Sequence, residues 1–243
     1  MRSPARKTKR MGFIVPAINV IAEDDFIAMS PPDIGVHFAR ADVDRGLPLQ
    51  EQFQQMVDAA PRLAASLAQA GVQVCAFACT SASFFKGAGF DQAIARSMQA
   101  ASGIECMTTS TAVLEALQAV AVRRIGLATP YVQWVVDAER QFFTQSGLEV
   151  VAANGLERHG GSDINTIDDE TIQAQALAVA LPSSDGVFIS CTDLPSLALV
   201  ESLEHVTGRP VITSNQATFW ACARRLGIGP IARFGGLLSR HLP

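Results

Sequence analysis

Two short segments of this chain carry residue types that do chemistry. Cys79-Thr80-Ser81 and Cys191-Thr192-Asp193 each set a cysteine at the end of an apolar run and follow it with polar side chains. The runs Val72 to Ala78 and Gly186 to Ser190 have the length and continuous apolarity of buried parallel strands. In open parallel sheets ligands gather outside the carboxyl ends of strands, so a thiol there faces a binding crevice. A helix following each cysteine would supply backbone N–H donors and a positive dipole end, which lower a thiol pKa and hold carboxylates. The expected chemistry is therefore nucleophilic or acid–base work by thiols on a small anion.

Competing sites are poorly supported. Cysteine is among the most buried residue types, and Cys75, Cys106 and Cys222 read as core packing. Cys75 and Cys79 do not make half of a zinc site, since no second pair or nearby histidine completes four ligands. The histidines (His37, His159, His205 and His241) are scattered, with His37 read as packing at a strand end and His159 as part of a flexible stretch, Glu157 to Asn165. No GxSxG elbow, GxxxxGK phosphate loop or GxGxxG fingerprint occurs, which removes the main support for hydrolase, kinase and nicotinamide readings.

The elements that must position the cysteines come in a duplicated βα order. Met11 to Pro16 reads as a strand, Phe53 to Ala70 as a helix stopping before Gly71, Phe90 to Ala101 as a second helix, and Ile104 to Thr108 as a strand leading into Thr109-Ser110-Thr111 and the helical run Ala112 to Ala121. The order then repeats. Arg124 to Pro130 echoes the opening strand, Cys191-Thr192 echoes Cys79-Thr80, and Pro210 to Thr213 with Ser214-Asn215 echoes the segment ending in Thr109-Ser110, all at nearly the same offset. Such matches imply two βα half-molecules. The expected division is a disordered basic leader at 1–10, a first half at 11–116 completed by 226–243, and a second half at 117–225. Pseudo-symmetry would face Cys79 and Cys191 across one cleft.

Composition narrows the class. The chain has 243 residues, 49% of them hydrophobic, enough for a substantial core. Net charge is −4 although the first ten residues hold five basic and no acidic side chains, so the body is acidic and a nucleic-acid partner is not expected. No apolar run reaches the length of a membrane span, and no signal-peptide pattern opens the chain. Five cysteines, an odd number, fit reduced thiols and a cytoplasmic protein. A homo-oligomer is compatible with this composition.

Val15 to Asn19 (VPAIN), Phe77 to Gly87 (FACTSASFFKG), Thr109 to Val113 (TSTAV), Arg123 to Tyr131 (RRIGLATPY), Ser190 to Leu194 (SCTDL) and Pro210 to Asn215 (PVITSN) together resemble the aspartate/glutamate racemase superfamily, in its maleate isomerase and arylmalonate decarboxylase branch. The resemblance runs from Met11 onward. It implies an α/β fold of two pseudo-symmetric domains, each a four-stranded parallel sheet flanked by helices, with the active site between them and no metal or organic cofactor. The maleate isomerases are similar in carrying asparagine at Asn19, cysteine at Cys79, tyrosine at Tyr131 and cysteine at Cys191, whereas the decarboxylases have glycine at the position of Cys79. The segments around SCTDL and TSNQATFW also resemble a branch linked to ectoine breakdown. What the resemblance implies is a cofactor-independent two-cysteine isomerase of a small carboxylate, maleate-like, with Cys79 and Cys191 catalytic and Pro16, Asn19, Thr80, Ser81, Tyr131, Thr192 and Asn215 binding substrate. The alternatives are an amino-acid or hydantoin racemase with two thiol bases, an arylmalonate decarboxylase, and a non-enzymatic small-anion binder.

Overall fold

The computed structural model describes residues 7–243. Its first sheet comprises β1 (Lys9–Pro16), β2 (Ile34–Ala41), β3 (Val74–Phe77) and β4 (Glu105–Thr108), all parallel, in the order β2-β1-β3-β4. The second repeats this plan with β5 (Arg124–Tyr131), β6 (Glu149–Arg158), β7 (Gly186–Ile189) and β8 (Val211–Thr213), in the order β6-β5-β7-β8. Parallel strands need crossovers, and helices supply them. In the first half these are α1 (Ile21–Met29), α2 (Leu49–Gln69), α3 (Thr80–Phe84), α4 (Phe90–Ser102) and α5 (Thr109–Ala119). In the second they are α6 (Gln133–Gln145), α7 (Ser162–Asn165), α8 (Asp169–Val179), α9 (Val200–Thr207), α10 (Ser214–Arg225) and the short α11 (Gly236–Arg240).

Strand periodicity sorts the core. Along β1, Phe13 and Val15 join a large cluster that also contains Phe188, Phe219 and Trp220 of the second half, whereas Ile14 points the other way, into a cluster with Phe53, Leu63 and Met98 under α2 and α4. One apolar core thus spans the two sheets. Helix α10 is the main strut: ten consecutive residues, Ser214 to Ala223, are buried, and the helix packs on α5 and α1 of the first half.

Several boundaries differ from the sequence reading. Strand β1 begins at Lys9, so the last residues of the expected leader already pair with β2, while residues 1–6 of that leader lie outside the described residues. Helix α2 starts at Leu49 because Pro48, extended at its N-cap, needs no N–H there. Helix α5 begins at Thr109, earlier than the Ala112 that apolar periodicity indicates, because Thr108 caps it, and α10 begins at Ser214 behind the cap Thr213. In α10 the cap is a full capping box with Gln216. The tail makes its hydrogen bonds with α9 and α10, Gly236 N–H donating to Glu204 and Trp220 Nε1–H to the His241 carbonyl. Its hydrogen bond to the first sheet is the one that Lys9 donates to the Gly227 carbonyl.

Gly126 on β5 marks the tightest helix–sheet approach. A Cβ there would stand 2.1 Å from the carbonyl oxygen of Val179 at the end of α8. Gly126→Ala must push α8 outward and is expected to cost about 1–3 kcal/mol, read as a melting temperature several degrees lower. An unchanged melting temperature would contradict this packing of α8.

Candidate active site

In both sheets the strand order reverses between the first strand and the third, β1 and β3 in one, β5 and β7 in the other. A crevice opens at such switch points, and the polar residues cluster there. Pro16 and Asn19 follow β1, Cys79 follows β3, Tyr131 ends β5, and Cys191 follows β7. All five line one cavity of about 90 Å³, together with Thr80, Ser81 and Thr192. The cleft between the halves therefore contains both thiols.

Tyr131 reaches it through an irregularity. The β5–β6 register slips between Thr129 and Tyr131, around Pro130, which has no N–H for the ladder. Cys191 is held more forcibly, at φ +106°, where a Cβ is unfavourable at a cost on the order of 1–3 kcal/mol. Its N–H donates to Ser214 Oγ at 3.0 Å, and the Asp193 N–H donates to its sulfur at 3.4 Å. The expected helix after Cys191 is absent. Residues 192–196 turn instead, interrupted by Pro195, and helical structure resumes only at Leu197. Cys79 does sit at a helix N-cap, that of α3, with Ser81 Oγ 4.0 Å from its sulfur.

A buried polar seam joins the halves beneath the cavity. Thr80 donates to Ser214 Oγ at 3.0 Å, Thr192 Oγ1 to the Ala78 carbonyl at 3.2 Å, and Asn19 Nδ2 to Thr192 Oγ1 at 3.0 Å. Asn19 Oδ1 also accepts from the Ala22 N–H, so both ends of this amide are tied to protein. Asn215 departs from expectation, because it does not line the cavity. Its Nδ2 donates to the Thr192 carbonyl at 3.0 Å and to Asp25 Oδ2 at 2.7 Å, which makes it a brace behind Thr192.

The electrostatics also correct the sequence reading, which expected acidic thiols. Burial pushes Cys79 up to about 11, against the opposing pull of the Ala82 N–H and the Ser81 hydroxyl. Cys191 is pushed higher still, by burial and then by the Asp193 charge, with the Tyr131 hydroxyl opposing. Desolvation outweighs the N–H donors at both, so the resting thiols are protonated and Cys79 is the more acidic. Asp193, which the sequence reading did not single out, lines the cavity. It accepts from the Val20 N–H at 3.0 Å and from Asn165 Nδ2 at 3.3 Å, and burial raises its carboxyl to about 6.

The stretch Glu157 to Asn165, read from sequence as flexible, instead contains the end of β6 and α7. Arg158, His159, Gly160, Gly161 and Ile164 border the cavity, and the His159 N–H donates to Asp163 at 2.8 Å. Helix α2 supplies an apolar wall of Leu49, Phe53 and Met56, faced by Val132 and Val135. Only tertiary packing brings these residues to the site, and no local pattern marks them. Cys75, Cys106 and Cys222 are buried away from the cavity, as expected for packing residues. Among the described residues no group of three or more His, Cys, Asp or Glu side chains is placed to hold a metal ion, and no helix is long and apolar enough to cross a membrane.

Comparison with known proteins agrees with this architecture. A family model described as arylmalonate decarboxylase matches residues 12–238. An arylmalonate decarboxylase from Bordetella bronchiseptica is 31% identical over 233 residues, covering 94% of this chain and 95% of the relative. A maleate isomerase from Pseudomonas putida is 26% identical over 242 residues, covering 94% and 96%. Among solved structures, the liganded form of an arylmalonate decarboxylase double mutant, with one glycine changed to cysteine and one cysteine to serine, superposes with a TM-score of 0.87 at 30% identity, covering 95% of this chain and 99% of that one. Two four-stranded parallel sheets, a cleft at their paired switch points and a match over nearly the whole length lead to one conclusion: this chain belongs to the arylmalonate decarboxylase family.

Proposed function

We propose that this protein is a two-thiol cis–trans isomerase of a small unsaturated dicarboxylate of the maleate type. The observation that carries the reading is that Cys79 and Cys191, one from each half, line the same cavity. The more acidic thiol, Cys79, is the nucleophile. After losing its proton to cavity water, its thiolate adds to one alkene carbon, and the π pair moves onto the neighbouring carbon and its carboxylate as an enediolate. The former double bond is now single and rotates. Expulsion of the Cys79 thiolate re-forms the alkene in the trans geometry, with no net change in atoms or electrons. Cys191, kept protonated beside the Tyr131 hydroxyl, is the acid facing the carbanion. Asn19 and Tyr131 orient the carboxylates, with Pro16 shaping the wall beside them. The Ser81 hydroxyl and the backbone N–H groups of Thr80, Ser81 and Thr192 stabilise enediolate charge, and Asn215 acts from behind through Thr192.

Cavity size supports a small substrate. The cavity that both thiols line is small, about 90 Å³, and opens to solvent, which suits a small carboxylate. A second reading, decarboxylation of a substituted malonate through Cys191, is favoured by the apolar wall of Leu49, Phe53, Met56, Val132 and Val135 and by the family to which the chain belongs. Against it stands Cys79, which occupies the position where the decarboxylases carry glycine.

Proton NMR in D₂O on maleate, aryl malonates, aspartate, glutamate and hydantoins separates the readings. Conversion of maleate to fumarate is expected. CO₂ release from an aryl malonate with maleate untouched would overturn the isomerase in favour of the decarboxylase, and α-proton exchange with inversion would replace it by a racemase. Cys79→Ala and Cys191→Ala should each lower turnover at least about 10²-fold with the melting temperature retained. Activity is expected to survive EDTA dialysis; loss restored by added metal would contradict the scheme.

A further inference from the structure

Beneath Cys191 and Tyr131 lies a carboxyl group that the scheme above does not use. Glu139, on α6, is completely buried. Its Oε1 accepts a hydrogen bond of 2.5 Å from Ser190 Oγ, and Ser190 is the residue before the strained Cys191. The Thr129 hydroxyl, two residues before Tyr131, lies beside the same carboxyl. Yet Glu139 Oε2 and Thr129 Oγ1 are both buried without a hydrogen-bond partner. Among the described residues no Lys, Arg or His forms an ion pair with this carboxyl, and a fully buried charge without a partner is costly, so burial favours the neutral acid. The neutral acid carries its proton on Oε2, next to the Thr129 hydroxyl, while Oε1 keeps the Ser190 bond.

The geometry points to Glu139 as a positioning residue that, as a neutral acid, ties the end of β5 to the end of β7 and so fixes Tyr131 and Cys191 relative to each other. Burial supports the neutral form, holding this carboxyl up at about 8 despite the Ser190 and Thr129 hydroxyls. The groups facing it are few. From β5 it is Tyr131, whose phenol is pushed up first by burial and then by the Cys191 and Glu139 charges, and past the end of β7 it is Cys191, beside that phenol. Helix α3 presents only the neutral side chains Thr80 to Phe84, and the charged residues of β6 (Glu149, Glu157 and Arg158) stand at its exposed ends. On α6 itself, Asp137 and Arg140 point outward. When Glu139 ionises, the acid O–H is lost and a buried negative charge appears beneath the phenol that supports the Cys191 thiolate. That thiol then becomes harder to ionise. The inference rests on Cys191 being a working thiol of the proposed site.

Glu139→Gln keeps the shape and a donor but cannot ionise. Peptide-resolved mass spectrometry of iodoacetamide labelling, from pH 6.5 to 9.5, reads Cys191 directly and needs no substrate. Wild type and Glu139→Gln should label Cys191 at similar rates at pH 6.5. Above about pH 8 the wild-type rate should lag by at least about threefold, the scale of one buried charge acting nearby. Stability gives a second readout. Because the folded protein holds this proton more tightly than the unfolded chain, the contribution of the neutral acid is complete below the ordinary carboxylate range and is lost as pH rises toward about 8. The melting temperature of wild type relative to Glu139→Gln should therefore fall between pH 5 and pH 8. If Glu139→Gln does not fold, Ser190→Ala, which removes one hydrogen bond to the carboxyl, should move the labelling break to higher pH. Parallel labelling profiles with parallel melting curves, or an unmoved break in Ser190→Ala, would overturn the inference. A protein that shows the break but leaves maleate untouched would keep Glu139 and lose the isomerase reading.

Discussion

Hydroxyl side chains buried between the two sheets have no water to turn to, so each must find a partner across the seam or be left at a cost of about 1–3 kcal/mol. Ser214 Oγ meets this constraint twice, accepting from the Cys191 N–H of its own half and from the Thr80 hydroxyl of the other. Thr192 does the same through the Ala78 carbonyl and Asn19. The residues after the two cysteines therefore lock the halves together, and the thiols are fixed by the same bonds that close the interface. A shift of either half would break several buried hydrogen bonds at once. This is why a cleft between two separate sheets can hold a precise geometry.

The seam also governs the electrostatics. Closure of the seam buries both thiols, and burial keeps them neutral, although Cys79 stands at the start of a helix. The acid groups around the site respond in the same direction. Asp25, bound by Asn215, is raised to about 7, and Asp193 to about 6, each mainly by burial. A site built in this way ionises its thiols sparingly. Its reactivity then depends on how well the surrounding N–H and O–H donors receive charge once it forms.

Much of this was legible in the chain itself. The pairing of Cys79-Thr80 with Cys191-Thr192 and of Pro16 with Pro130 reveals the duplication, and the strand-end rule then places Pro16, Asn19, Tyr131 and both cysteines at one crevice. Other features were hidden for physical reasons. Edge strands β2 and β6 are only partly buried and lack the continuous apolar signature of β1 and β5. Asp193 could have been noticed beside its cysteine, but its bonds to Val20 and Asn165 exist only in the folded chain. The wall from α2 and the border from Arg158 to Gly161 are assembled from distant segments. Asn215 shows the opposite error: a polar residue at a strand end can brace the site without entering it.

The central claim is that Cys79 attacks the substrate while Cys191 faces it as acid, and it is tested most directly by trapping the bond. Cys191→Ser protein incubated with maleate, quenched in acid and digested, should yield the Cys79 peptide heavier by the mass of one maleic acid, and Cys79→Ser should yield no adduct on Cys191. An adduct on Cys191 alone, or none in either variant while the wild type turns over maleate, would contradict the account.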